Sequence, residues 1–294
     1  MKTNEIILLL IILLVFPFFS IQAQKKQGRP EPKEIEVPDG FVHKVLQYRK
    51  GEHQRAGQMA ISYKDDGIKN KPVVVFIHGG GWRNGDKDQL TFQVFNVARK
   101  GFVGVSISYR LVTESPFPAC IEDVKQAIRF LKSKENELPI DVERIGVWGY
   151  SAGAHLALMI ALSPNNVFKT NDYTEYNSEI KTVMAVAAPA DFVTRIKEQG
   201  NLNQLNKELN SKIPFLKEIS PITYVNRNQI PVFMLHGIED SIVKSFHYKN
   251  FQTKCKEEGV DNFKLFEFDA AGHMFYFKKQ RDVKPIFNEF LKSI

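Results

Sequence analysis

From residue 41 onward, short apolar runs rich in β-branched residues alternate with longer segments of helical period, and no other feature restricts the fold as tightly. Strands joined by crossover helices give a mostly parallel sheet covered on both faces. The buried strands expected are 72–78 (PVVVFIH), 102–109 (FVGVSISY), 144–149, 183–188, 232–236 and 263–269. Two earlier segments, 42–48 and 58–63, alternate like half-exposed antiparallel strands, which makes about eight in all. Between them, Leu90, Val94, Val97 and Ala98 share one helical face, as do Ile121, Val124, Ile128 and Leu131. The last helix carries the stripe Val283, Ile286, Phe287, Phe290, Leu291 and Ile294. Residues 152–162 (AGAHLALMIAL) are apolar nearly all round, which requires a central helix enclosed on several sides. The stretches 163–180 and 191–230 are polar and too long for simple connections, so a lid or substrate wall is expected in them. No internal repeat is present.

The 43% apolar content, with Gly 18 and Pro 14 in 294 residues, excludes disordered, collagenous and disulfide-scaffold classes. A chain of this size buries a sufficient core without metal or disulfide staples. Lys+Arg 40 against Asp+Glu 33 leaves +7. These charges are interleaved, and the pattern reads as solvated surface with no nucleic-acid partner. Cys120 and Cys255 stand in no CxxC or metal-ligand spacing, and read as buried thiols rather than a bridge.

Residues 1–23 read as a signal peptide. Lys2 precedes an apolar run of 14 residues from Ile6 to Phe19, short of the ~20 that a membrane span requires. Cleavage is placed after Ala23, and an uncleaved anchor is the alternative. Neither cysteine lies near the cleavage site, against a lipoprotein. Residues 24–40, rich in Pro and charge, read as a linker, and 41–294 as one catalytic-size domain without a stable membrane span. An exported protein, periplasmic or secreted, is expected. Oligomeric state is not written in these features.

The sequence Gly149-Tyr150-Ser151-Ala152-Gly153 falls between a strand and the enclosed helix, the context that gives Gly-x-Ser-x-Gly its meaning. A sharp turn there projects a serine hydroxyl above the sheet, with a helix N-terminus behind it to favour negative charge. Such a hydroxyl needs a base and a group to orient that base. His273 follows the strand 263–269 at the carboxyl edge of the sheet, whereas His43, His53, His155 and His247 fit worse. Asp240, just after the strand 232–236, is the preferred orienting acid, with Asp191 and Asp269 as alternatives. After the strand 72–78 come His78-Gly79-Gly80-Gly81-Trp82. This loop lacks the phosphate-binding patterns, and its glycines let backbone N–H groups meet an oxyanion together with Ala152 N–H. Trp82 and Tyr150 are candidate walls of the substrate pocket.

These residues resemble the HGGG-type α/β-hydrolase esterases, the hormone-sensitive-lipase-like group and its secreted acetylxylan and feruloyl esterase relatives. The resemblance runs through HGGGWRNGDK (78–87), SYR (108–110), the segment around Asp123, DVERIGVWGYSAGAHLA (141–157), SPITYV (220–225) and HGIED (236–240). It implies an α/β-hydrolase fold with helices on both faces, the order Ser151, Asp240, His273, and an oxyanion hole at Gly80 and Gly81. No long helical lid precedes the first strand, so a small cap is implied. The expected function is an exported serine esterase acting on short-chain or aromatic acyl esters, including acetyl or feruloyl groups on plant polysaccharide. No cofactor and no metal are required. Arylformamidase or peptidase chemistry on the same triad is an alternative, and a non-catalytic carbohydrate-binding relative is another.

Overall fold

The computed structural model describes residues 35–51, 53–200 and 211–294, and the signal expected at 1–23 and most of the linker lie outside them. Val37–Ile294 forms one compact unit. Its single sheet has the order β1-β2-β4-β3-β5-β6-β7-β8. The strands are β1 (Phe41–Gln47), β2 (Gln58–Lys64), β3 (Lys71–Ile77), β4 (Val103–Ile107), β5 (Ile140–Tyr150), β6 (Thr182–Val186), β7 (Val232–Gly237) and β8 (Phe263–Phe268). β2 runs antiparallel to both its neighbours, β1 and β4, and every pairing from β4 to β8 is parallel. This is the mixed, mostly parallel sheet of an α/β-hydrolase.

Period-two alternation sends β3 side chains to two cores. Val73, Val75 and Ile77 join the cluster beneath the helices α2 (Ala119–Lys132) and α3 (Ala152–Leu162). Val74 and Phe76 join the cluster beneath α1 (Thr91–Ala98) and the last helix, Gln280–Lys292. Both faces are therefore buried, which is why the central strands carry continuous apolar runs. The predicted helical faces are the packed ones: Leu90, Val94, Val97 and Ala98, then Ile121, Val124, Ile128 and Leu131, are all buried. The stripe of the last helix buries Val283, Phe287, Phe290 and Leu291, while Ile286 and Ile294 are half-buried.

Three expectations change. β8, read as a buried strand, ends the sheet and is mostly half-buried, with Lys264 and Glu267 exposed, because only β7 pairs with it. β2, read as half-exposed, buries Met59, Ala60, Ile61 and Ser62, because it lies between β1 and β4. The interleaved charges are not all solvated: Lys125 and Arg129 of α2 are fully enclosed. Cys120 and Cys255 are buried free thiols. Burial pushes both up, Cys255 to about 12. Among the described residues no helix is long and apolar enough to cross a membrane.

Candidate active site

β5 ends at Tyr150 and α3 begins at Ala152, so a single residue makes the reversal. Ser151 adopts φ 53 and ψ −119, a left-handed conformation that costs a non-glycine residue about 1–3 kcal/mol. Its backbone N–H donates to Val186 O at 2.8 Å, which ties the turn to the end of β6. The neighbour Gly153 permits the tight crossing: a Cβ there would meet Ile77 O at 2.1 Å. This is the strand–turn–helix placement expected of the Gly-x-Ser-x-Gly sequence.

His273 Nε2 lies 3.0 Å from Ser151 Oγ, and His273 Nδ1 lies 2.7 Å from Asp240 Oδ2. A carboxylate accepts at Nδ1, so Nδ1 carries the proton and Nε2 is free to accept from the hydroxyl. The carboxylate has its own anchors, since Asp240 Oδ1 accepts from the Ile242 and Val243 N–H groups, each at 2.9 Å. Burial alone would raise the Asp240 pKa, but the His273 hydrogen bond and these backbone donors hold it below its ordinary value. The two loops carrying acid and imidazole are stitched together by Glu239 N–H to Ala271 O and Ile238 N–H to Phe268 O, both 3.0 Å. Thus side chains 122 positions apart share one line of hydrogen bonds. A hydroxyl, imidazole and carboxylate in that sequence can move a proton off the hydroxyl and stabilise the resulting imidazolium.

The other acids are engaged differently. Asp191 caps the helix α4 (Phe192–Gln199), accepting from Thr194 N–H at 2.9 Å, and its second oxygen accepts from Asn250. Asp269 is exposed on the surface. Neither touches His273 in the hydrogen-bond network.

The glycine loop lies against the same turn, with Gly79 packed on Tyr150 and Ser151. Gly80 and Gly81 have φ +105 and +61, and a Cβ on Gly80 would strike Asn84 O at 2.2 Å, so no other residue fits that bend without strain. Beneath the loop, Tyr109 stacks on His78 at 4.3 Å and donates to His78 O. Arg55 braces it further by donating to Gly85 O and pairing with Glu114. Ala152 opens α3, and its N–H is one that a helix leaves without an intrahelical acceptor.

Trp82 is placed differently from the expected pocket wall. It is 2% exposed, with its ring against Phe117, His155 and Phe192. Its indole N–H donates to His155 Nδ1 at 3.2 Å, and His155 Nε2 donates to Ile219 O at 2.8 Å. The correction has a simple cause: an indole directly after a glycine turn can point down into the fold as readily as outward. Tyr150 is half-buried and stacks on His273 at 5.2 Å, and its hydroxyl donates to His273 O. Its visible work is to hold the imidazole loop.

Sequence reasoning passed over His155. Burial holds it neutral, pulling it down to about 4, and the same cause does so for His78. A lone polar residue on an otherwise apolar helix was the available signal, because such a group must find partners inside. Among the described residues no cluster of His, Cys, Asp and Glu could hold a metal ion.

Comparison with known proteins agrees with this frame. The chain is 29% identical to Esterase LipQ of Mycobacterium tuberculosis over 224 residues, 70% of this chain and 51% of that protein. The chain thus spans about half the length of the curated relatives it matches. The bifunctional GH43-CE of Bacteroides eggerthii superposes with TM-score 0.75 at 24% identity, covering 88% of this chain and 39% of that one. The butyrate-bound esterase Est2 of the Planctomycetes species Thermogutta terrifontis gives 0.70 at 23% identity, covering 83% and 92%. The family model BD-FAE matches residues 59–255, more than half of the chain. With the fold and the geometry in agreement, the chain belongs to the BD-FAE family of α/β-hydrolases.

Proposed function

We propose that this protein is a carboxylic-ester hydrolase working through an acyl-serine intermediate. The observation that carries the reading is the unbroken line from Ser151 Oγ through His273 to an Asp240 already fastened by two backbone donors. His273 Nε2 takes the hydroxyl proton as Oγ attacks the acyl carbonyl. The oxyanion is met by the N–H groups of Gly80, Gly81 and Ala152. Loss of one such donor typically lowers turnover by ~10²–10³. The imidazolium, oriented by Asp240, gives its proton to the departing alcohol, and water then repeats the sequence on the acyl-enzyme. Every proton taken at one step is returned at the next.

For substrate we infer short-chain or aromatic acyl groups, with acetyl or feruloyl esters on plant polysaccharide favoured. The family match supports this, as does the bifunctional GH43-CE chain among the structural neighbours. We infer also that the protein is exported, on the charge, apolar run and small residues of 1–23. A fluorophosphonate probe tests the chemistry: stoichiometric labelling, abolished in Ser151→Ala, is expected. A probe that labels Ser151→Ala equally well removes the proposal. Turnover of p-nitrophenyl acetate, longer acyl esters, methyl ferulate, acetylated xylan and N-formylkynurenine then ranks acyl and leaving groups. Cell fractionation with mass measurement of the mature chain tests export.

A further inference from the structure

On the face opposite α2 and α3, a groove of about 520 Å³ runs between α1 and two C-terminal helices, α5 (Phe275–Lys278) and α6 (Gln280–Lys292). Two observations bear on what it holds. Phe92 is 73% exposed and Phe277 36% exposed, so two aromatic rings on its walls face solvent rather than core. Lys100 and Lys284 both line the groove, and no carboxylate does. Among the described residues Lys100 meets Asn288 Oδ1 and the Phe287 ring and no carboxylate. Burial and the neighbouring Lys284 lower its pKa, as befits a cation without a counter-ion.

The groove also adjoins the site. Phe277 packs on Tyr150 at 5.1 Å, and Tyr150 packs on His273 at 5.2 Å, so its upper end is two ring contacts from the imidazole. Exposed aromatic faces and cations with no carboxylate beside them together suit one chemistry: a sugar chain whose C–H faces stack on rings and which carries carboxylates. Resting on the esterase reading above, we propose that this groove is a subsite for a uronate-bearing glycan, holding the polymer while an ester on it reaches Ser151.

The test is calorimetric titration of the full-length Ser151→Ala protein, which binds without turnover. The probes are glucuronate-bearing xylo-oligosaccharides and neutral xylo-oligosaccharides of equal length. Expected are at least fivefold tighter binding of the acidic series, weakening with added salt, and at least fivefold loss in Phe92→Ala and in the Lys100→Gln, Lys284→Gln double variant. These side chains are exposed, so unchanged melting temperatures serve as the folding control. Equal affinity for the two series, no binding of either, or acidic binding that survives both variants would overturn the proposal. Fluorophosphonate labelling of the wild type reports on the esterase chemistry independently, so failure of the groove and failure of the chemistry are read separately.

Discussion

Two long polar connections, 163–180 and 191–230, look alike in sequence and set out from opposite ends of the sheet. The first leaves the C-terminal end of α3 and returns to the start of β6, so it lies at the amino edge, away from Ser151. The second leaves the C-terminal end of β6, and its start, Asp191 and Phe192, lies at the carboxyl edge beside the glycine loop before the chain returns to the start of β7. Their attachments differ accordingly. Segment 163–180 is clasped by polar side chains of α2. Lys125 donates to Ser163 Oγ, Pro164 O and Val167 O, Arg129 to Thr170, and Lys132 to Asn177. The described ends of 191–230 are held by a mixed cluster of rings and buried hydrogen bonds. Phe192 packs on Trp82 and His155, and Ser220 Oγ accepts from Phe192 N–H. A long insertion is therefore a substrate wall or a structural buckle according to whether it follows a strand or a helix. That rule was available from element order alone, and the expectation of a lid in both segments is corrected for 163–180.

The difference can be broken experimentally at either edge. The largest effect is expected at the carboxyl edge: Asp240→Asn should lower kcat by ~10⁴ with little change in melting temperature, measured on p-nitrophenyl acetate. Acid should act next. His155 and His78, each pulled down to about 4 by burial, bind a proton more readily unfolded than folded. Their contribution is complete above pH 6.5 and is lost as pH falls towards 4, by up to about 3 kcal/mol each. Chemical denaturation across that window should register the decline, and a flat profile would refute the neutral buried imidazoles.

At the amino edge, Lys125→Met strips donors from the end of α3 and should cost about 2–3 kcal/mol while the folded fraction keeps its kcat. A kcat that falls in parallel would break the separation of the two ends. Trp82→Phe leaves His155 Nδ1 without its donor, for about 1–2 kcal/mol. Because that loop carries Gly80 and Gly81, turnover should also drop about tenfold, part of what a lost oxyanion donor costs. The smallest effect should come from the thiols. Cys120 and Cys255 are buried and unbridged, so added reductant should leave the melting temperature unchanged.

Much of the fold was legible because parallel strands buried on both faces leave dense apolar runs, and the helices on them leave stripes at 3.6-residue spacing. The edge strand β8 was misjudged because its composition resembles that of an interior strand; only the count of neighbours tells them apart. Lys125 and Arg129 look like surface cations in a string of letters. Their burial follows from segment 163–180 folding over α2 with oxygen atoms already in place. Trp82 and Tyr150 were identified as special neighbours of the motifs, yet which way each ring turns was set by what lay beside it.

Local chemistry, then, is what the residues determined unaided. The Gly-flanked serine at a strand-to-helix reversal, the glycine run after β3, and the histidine and acid placed after later strands depend on neighbours within a few positions. Convergence was decided by tertiary structure. Parallel register sets β5, β6, β7 and β8 side by side, which brings loops from distant parts of the chain to one edge and Asp240 and His273 within hydrogen-bond reach of Ser151. The interior placement of Trp82, its bond to His155 and the groove beside α1 arise the same way. Each depends on which surfaces meet when helices pack on the sheet, and adjacency along the chain does not encode that meeting.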